Sequence, residues 1–204
     1  MNPKTLAPSE IESILSTYMA FPHGKSYGQV STVDQEDQPD TCTVHWHALM
    51  NWNVLGFCTH RQSTKFHNLG QNPFLSGCYW NREQGFQLRW KAVASLEAIS
   101  QNPELKQNLW NLLRKEVRTA YWLCHMGLPL GMADLPSINH DQIPEEFSPV
   151  LCNVHEWDLF WDASSQKDSE YRFGKRTKYI LDQSQQWEAK SVNHVHSAIL
   201  EGPK

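Results

Sequence analysis

Residues 41 to 49 carry the strictest pattern in the chain. Cys42, Val44, Trp46 and Ala48 fall on one side of a period-two repeat, and Thr43, His45, His47 and Leu49 on the other. That period belongs to a strand with one face turned to a core. Further strand-like segments lie at 27 to 33, 54 to 59, 150 to 161, 171 to 181 and 187 to 194. Phe74 to Trp80 and Phe86 to Leu96 pair as a hairpin around Asn81 to Gly85. The polar run from Gln35 to Asp40 and the triplet Asn51-Trp52-Asn53 supply turns. Helical patterns do not alternate regularly with these strands, as a βαβ fold would require. The expected architecture is therefore mainly β with inserted helices, a closed or partly closed antiparallel barrel.

Three helices are legible. Ser9 and Glu12 form a capping-box pattern, and Ile11, Ile14, Leu15, Tyr18 and Met19 recur at helical spacing, which predicts a helix over 9 to 20, ended by Pro22-His23-Gly24. A short helix at 63 to 69 is closed by Gly70 and Pro73. Asn102 followed by Pro103 starts a third, within a helical insertion over about 102 to 123, with Leu105, Leu109, Leu112 and Leu113 as its buried face. Residues 124 to 148 hold several Gly and Pro breaks and read as a long irregular loop.

One domain over 1 to 204 is expected from the length alone. With 18 Lys and Arg against 22 Asp and Glu, the net charge of -4 argues against nucleic-acid binding by bulk electrostatics. No apolar run approaches the roughly 20 residues that span a bilayer, and Met1 to Ala20 is too polar for a signal peptide. The five cysteines, Cys42, Cys58, Cys78, Cys124 and Cys152, include no CxxC pair. They read as reduced, mostly buried thiols of a cytoplasmic protein.

Thr59-His60-Arg61-Gln62-Ser63-Thr64-Lys65 leaves a strand and enters a helix. It offers hydroxyls, an Arg, a Lys and free backbone N–H groups, a chemistry suited to a phosphate. A plain capped helix with solvated cations is the other reading. Walker-type glycine spacing and GxGxxG are both absent.

At this point the chain resembles the pyridoxamine 5'-phosphate oxidase-related family, the FMN-binding split barrels, on its oxidase-related branch rather than the vitamin enzyme itself. The resemblance rests on Phe57 to Leu69, Asn72-Pro73, Cys78-Tyr79-Trp80, Phe86 to Trp90, Glu156 to Trp161 and Tyr171-Arg172-Phe173, in order over most of the chain. It implies a split β-barrel of the antiparallel, Greek-key type, with FMN as cofactor in a groove between the subunits of a symmetric homodimer. Ser63 and Lys65, with Arg61 one step off the usual Arg position, would hold the phosphate. Thr43, Val44, His45, Thr59 and Gln87 would line the flavin, and Trp161 and Arg172 would close the site.

Two departures matter. Cys42 stands where the vitamin enzyme carries an Arg, and His47 where it carries a substrate-binding Lys. Asp168 and Glu170 also lie near Arg172, where a carboxylate would repel a pyridoxamine phosphate. FMN-dependent oxidation or reduction of an unnamed small molecule is the resulting expectation. The rivals are a non-catalytic flavin or haem carrier and a cofactor-less split barrel that binds a partner.

No acid–base dyad or nucleophile emerges, and a flavin enzyme needs none. His45 with His47, and His194 with His196, are HxH pairs that would need converging ligands to hold a metal, so no metal is assigned. His45, His47 and His125 are candidate haem ligands. Leu123 to Asp134 is either a loop near the partner's cofactor or an ordinary crossover. Arg114, Lys115 and Arg118 form a basic helix stretch, read as a solvated face or, for Arg118, as turned toward an anionic ligand.

Overall fold

The computed structural model describes residues 7–22, 26–49, 52–122, 138–139, 141–162 and 174–192. Eight strands run in chain order: β1 (Ser26–Val33), β2 (Pro39–Leu49), β3 (Val54–His60), β4 (Phe74–Asn81), β5 (Phe86–Ser95), β6 (Phe147–Trp161), β7 (Lys175–Leu181) and β8 (Trp187–Ser191). Their order in the sheet is β3-β2-β1-β4-β5-β6-β7-β8, and β3 also pairs with β6. That extra pairing closes β1 to β6 into a six-stranded antiparallel barrel. A three-strand meander whose fourth strand returns beside the first is the Greek-key arrangement. β7 and β8 extend the sheet beyond the closed ring. Among the described residues, no helix is long and apolar enough to cross a membrane.

The period-two pattern of 41 to 49 holds only in its first half, because His47 and Leu49 on the opposite face are also buried, Leu49 in a separate cluster with Val54 and Leu151. Val44, Trp46 and Ala48 enter the barrel core. The centre of that core is aromatic. Trp46 meets Trp90 edge-on at 4.9 Å and Phe57 at 5.0 Å, and Trp157 lies 6.0 Å from Trp90. Such edge-to-face pairs add to the burial energy of large rings. Gly77 on β4 makes room for them, because a Cβ there would fall inside the Trp90 ring.

Four α-helices decorate the barrel: α1 (Ser9–Tyr18), α2 (Thr64–Gln71), α3 (Pro103–Leu112) and α4 (Lys115–Ala120). α1 covers one barrel mouth with Ile11, Ile14 and Leu15. Its expected capping box does not form: Pro8 is the cap residue, Ser9 is already helical, and no side chain caps the first turn. The helix ends at Tyr18, two residues early, because Ala20 bridges to Ala48 of β2. In α2, Ser63 is the cap rather than the first helical residue, and Gly70 lies within the last turn.

Asn102 caps α3 as expected, accepting from Leu105 N–H at 3.0 Å. The buried face differs, however. Leu109 and Trp110 are buried, while Leu112 is 39% exposed. Trp110 takes the inner place because it packs on Phe147 at 5.0 Å and on Tyr121 at 6.0 Å. The insertion also breaks in two, since Leu113 and Arg114 are both extended. β6 begins at Phe147 rather than 150, within the expected loop, because Phe147 to Pro149 pair with Cys58 to His60.

Replacing Gly77 by Ala is expected to cost about 1–3 kcal/mol through overpacking against Trp90. Urea unfolding measures this, and an unchanged midpoint would contradict the tight contact.

Candidate functional site

The segment that suggested a phosphate forms a tight turn between β3 and α2. His60 O accepts from Ser63 N–H at 2.9 Å, and His60 Nδ1 accepts from Gln62 N–H at 3.1 Å. Thr59 and Ser63 are both buried, and their hydroxyls share a hydrogen bond of 2.9 Å. Ser63 Oγ also accepts from Phe66 N–H at 3.4 Å. Lys65 is half-buried and hydrogen-bonds toward the Cys42 thiol of β2. Among the described residues it has no carboxylate within ion-pair range. Arg61 is exposed on the same turn.

The β2–β3 ladder spans His47–Leu49 against Val54–Gly56. Beyond Gly56, β3 leaves β2 and follows β6 as far as His60. The edge of β2 that faces β3 is thereby left outside the ladder from about Cys42 to Trp46. From Cys42 to His47 it runs about 17 Å at the usual strand rise. Lys65 marks one end of this edge.

At the other end a cavity of about 560 Å³ opens on the outer face of β2 and β3. Tyr27, His45, His47 and Cys58 form its barrel wall, and Leu113, Arg114, Val117 and Tyr121 form the wall from the helical insertion. Tyr27 stacks on His45 at 4.8 Å and His45 meets His47 at 4.3 Å. Cys58 directly precedes Thr59, and the next residue, His60, stacks on Tyr121 at 6.1 Å. The cavity and the phosphate-type turn are therefore contiguous.

His47 is buried and its Nδ1 has no hydrogen-bond partner. Burial, with a smaller push from His45, lowers its pKa to about 4. It is a neutral imidazole near pH 7, with one polar atom unspent. Burial raises the Cys58 thiol to about 12, so it is not a thiolate there.

Of the residues that the sequence singled out, Thr43, His45, Thr59, Ser63 and Lys65 gather around the open edge. Val44 lies on the same strand, but its side chain is in the barrel core, so it offers only backbone. Gln87 and Trp161 lie elsewhere. Thr59 pairs with Ser148 and Gln87 with Phe160. Ser148 to Phe160 is about 40 Å of strand contour along β6. Trp161 packs on Phe86 at 5.0 Å, and its indole N–H donates to Glu10 Oε1 at 3.1 Å. Arg172, Asp168, Glu170, Cys124, His125, His194, His196 and the loop 123–134 lie outside the described residues.

Arg118 does not face a ligand. Its Nε and Nη2 donate to the Leu113 and Asn111 carbonyls at 3.0 Å, and its guanidinium covers the Trp110 ring. Arg114, read from sequence as part of a solvated face, instead lines the cavity. The described residues contain no group of three or more His, Cys, Asp or Glu placed to hold a metal ion. Cys42, Cys58, Cys78 and Cys152 are free thiols.

No protein-family model matches the chain, and no curated protein matches it. Solved structures do. A pyridoxamine 5'-phosphate oxidase-related, FMN-binding protein from Nostoc punctiforme superposes with a TM-score of 0.70 at 19% identity, over 82% of this chain and 87% of that one. PhzG from Burkholderia lata, solved with tetrahydrophenazine-1-carboxylic acid, gives 0.68 at 17% identity, over 94% of each chain. General Stress Protein 26 from Bacillus anthracis gives 0.51 at 17% identity, over 74% and 93%. The chain has the fold of the pyridoxamine 5'-phosphate oxidase-related split barrels, the class that the motif order in the sequence resembles.

The buried neutral His47 has a pH consequence. Its folded pKa lies below its unfolded value, so the unfolded chain binds the extra proton between about pH 6.5 and 4. Its contribution is complete above pH 6.5 and is lost as pH falls through that window, by up to about 1.4 kcal/mol per pH unit. His47→Asn is expected to flatten the acid-side fall of unfolding free energy by about one proton. Denaturant titrations at stepped pH test this, and identical slopes would refute it.

Proposed function

We propose that this chain is an FMN-binding flavoprotein that oxidises or reduces a small molecule as a symmetric homodimer in the cytoplasm. The observation that carries the reading is the open β2 edge, with Lys65 at one end and an aromatic-walled cavity at the other. Lys65, Ser63 and the exposed Arg61 supply cations and hydroxyl donors for a terminal phosphate. The Thr64 and Lys65 backbone N–H groups at the start of α2 add to them, since Phe66 and His67 N–H already bond Ser63. The β2 edge offers backbone donors and acceptors to a flat heterocycle. His45, Tyr27 and the unspent Nδ1 of His47 supply a stacking wall and a further acceptor or donor. These donor types fit FMN, although Cys42 withholds the charge that an Arg would have brought.

When bound, FMN would supply hydride or electron transfer. The residues of the chain would hold it, exclude water and orient a substrate. Tyr121, Leu113 and Val117 wall the cavity from outside, and Arg114 at its rim has no partner among the described residues. A planar substrate with one anionic group suits that wall. PhzG, on the same fold, was solved with a compound of that kind.

The homodimer is supported by the spread of the candidate residues. Gln87 and Trp161 lie too far along β6 to meet the flavin held by Lys65 of their own chain. A second copy related by a two-fold axis would bring them to it.

The test is an absorption spectrum before and after FMN loading and desalting, in wild type and Lys65→Ala. Retention of a two-band flavin spectrum is expected, with at least about tenfold weaker FMN binding in the variant from loss of one charge-assisted contact. Riboflavin, which lacks the phosphate, is expected to bind both proteins alike. A colourless wild type after loading would refute the reading, and a Soret band would replace it with haem.

A further inference from the structure

A second concave feature lies away from that site, on the outer face of β5, β6 and β7. It is a groove of about 290 Å³. Two carboxylates form its floor. Asp158 is 6% exposed and accepts from Arg176 Nε at 2.8 Å and Arg176 Nη2 at 2.6 Å. Arg89 Nη2 donates to the same Asp158. Glu156 takes Lys178 at 3.0 Å and Lys91 at 3.4 Å. Ser31, Ser76 and Gln29 form the facing wall, with hydroxyl and amide donors.

The charges do not balance. Two Arg and two Lys surround two carboxylates, which leaves two positive charges in a chain whose net charge is -4. Burial works to raise the Asp158 carboxyl, but the hydrogen bonds and charges of Arg176 and Arg89 outweigh it and hold it below its ordinary value. Asp158 therefore stays ionised at neutral pH and clamps both guanidinium groups in fixed orientations. Arg89 Nε is buried and has no partner. The Arg89 side chain is 41% exposed where it lines the groove, so its guanidinium keeps donors that Asp158 does not use. The donors that Arg89 keeps can take a phosphate oxygen, and two excess charges match a dianion.

We propose that this groove is a phosphate-binding site, with Arg89 and Lys178 as its main contacts and Asp158 as the clamp behind them. The ligand is a free phosphorylated molecule and not the flavin, whose single phosphate the reading above assigns to Lys65 and Ser63.

The experiment is a titration of the full chain with inorganic phosphate, followed by backbone-amide NMR shifts, in wild type, Arg89→Gln and Lys178→Gln. In Arg89→Gln, Asp158 keeps its two bonds to Arg176, and an unchanged circular-dichroism melt checks that the fold survives. Saturable shifts on β5 to β7 are expected, weakened about tenfold or more in Arg89→Gln and clearly weakened in Lys178→Gln. The affinity ratio of FMN to riboflavin is expected to be unchanged in Arg89→Gln. Phosphate shifts that ignore both substitutions, no saturable shift at all, or a ratio that falls in Arg89→Gln overturn the proposal. Lys65→Ala separates the two sites: losing FMN there while phosphate still binds this groove leaves the proposal standing.

Discussion

Strand β6 hydrogen-bonds to β3 over its first half and to β5 over most of its length, and this double pairing closes the barrel. Without it, β1 to β3 and β4 to β6 would be two open meanders joined through the short β1–β4 ladder. Closure places Trp46, Trp90 and Trp157 on facing inner walls, where their rings fill the lumen. Beyond Gly56, β3 continues along β6 but no longer pairs with β2, which leaves the open edge of β2 that forms the candidate cofactor groove.

The same strand sets the distance between the two groups of candidate residues. Thr59 is tied to its start and Gln87 to its end. Glu10 then fixes Trp161 at the far end, accepting its indole N–H while also accepting from the Tyr179 hydroxyl. The N-terminal helix is thus fastened to the end of the barrel that is remote from Lys65. Within one chain the two groups thus lie at opposite ends of β6.

Much of the fold was legible because its signals are local. Period-two burial marks the first half of β2, the Asn102-Pro103 pair starts α3, and Asn81 to Gly85 closes the β4–β5 hairpin. The failures are local signals overruled by packing. Ser9 and Glu12 have the right spacing for a capping box, but Pro8 already occupies the cap position. Leu112 has the right period for the buried face of α3, but Trp110 offers a larger ring to Phe147 and Tyr121. Phe147 to Pro149 read as loop because their strand character comes from pairing with β3, a partner nearly ninety positions away.

The sequence by itself determined where most strands and helices lie, the β4–β5 hairpin and the strand-to-helix passage at Thr59–Lys65, because each depends on residues close together in the chain. Only the tertiary structure decided which of those residues meet. It set Cys42 beside Lys65, gave buried His47 a cavity to face, turned Arg114 to the rim of that cavity and sent Arg118 back onto the end of α3. It also surrounded Asp158 and Glu156 with four cations from β5 and β7. The physical reason is that strand register and barrel shear are fixed by the sum of many long-range pairings, and no window of the chain contains that sum.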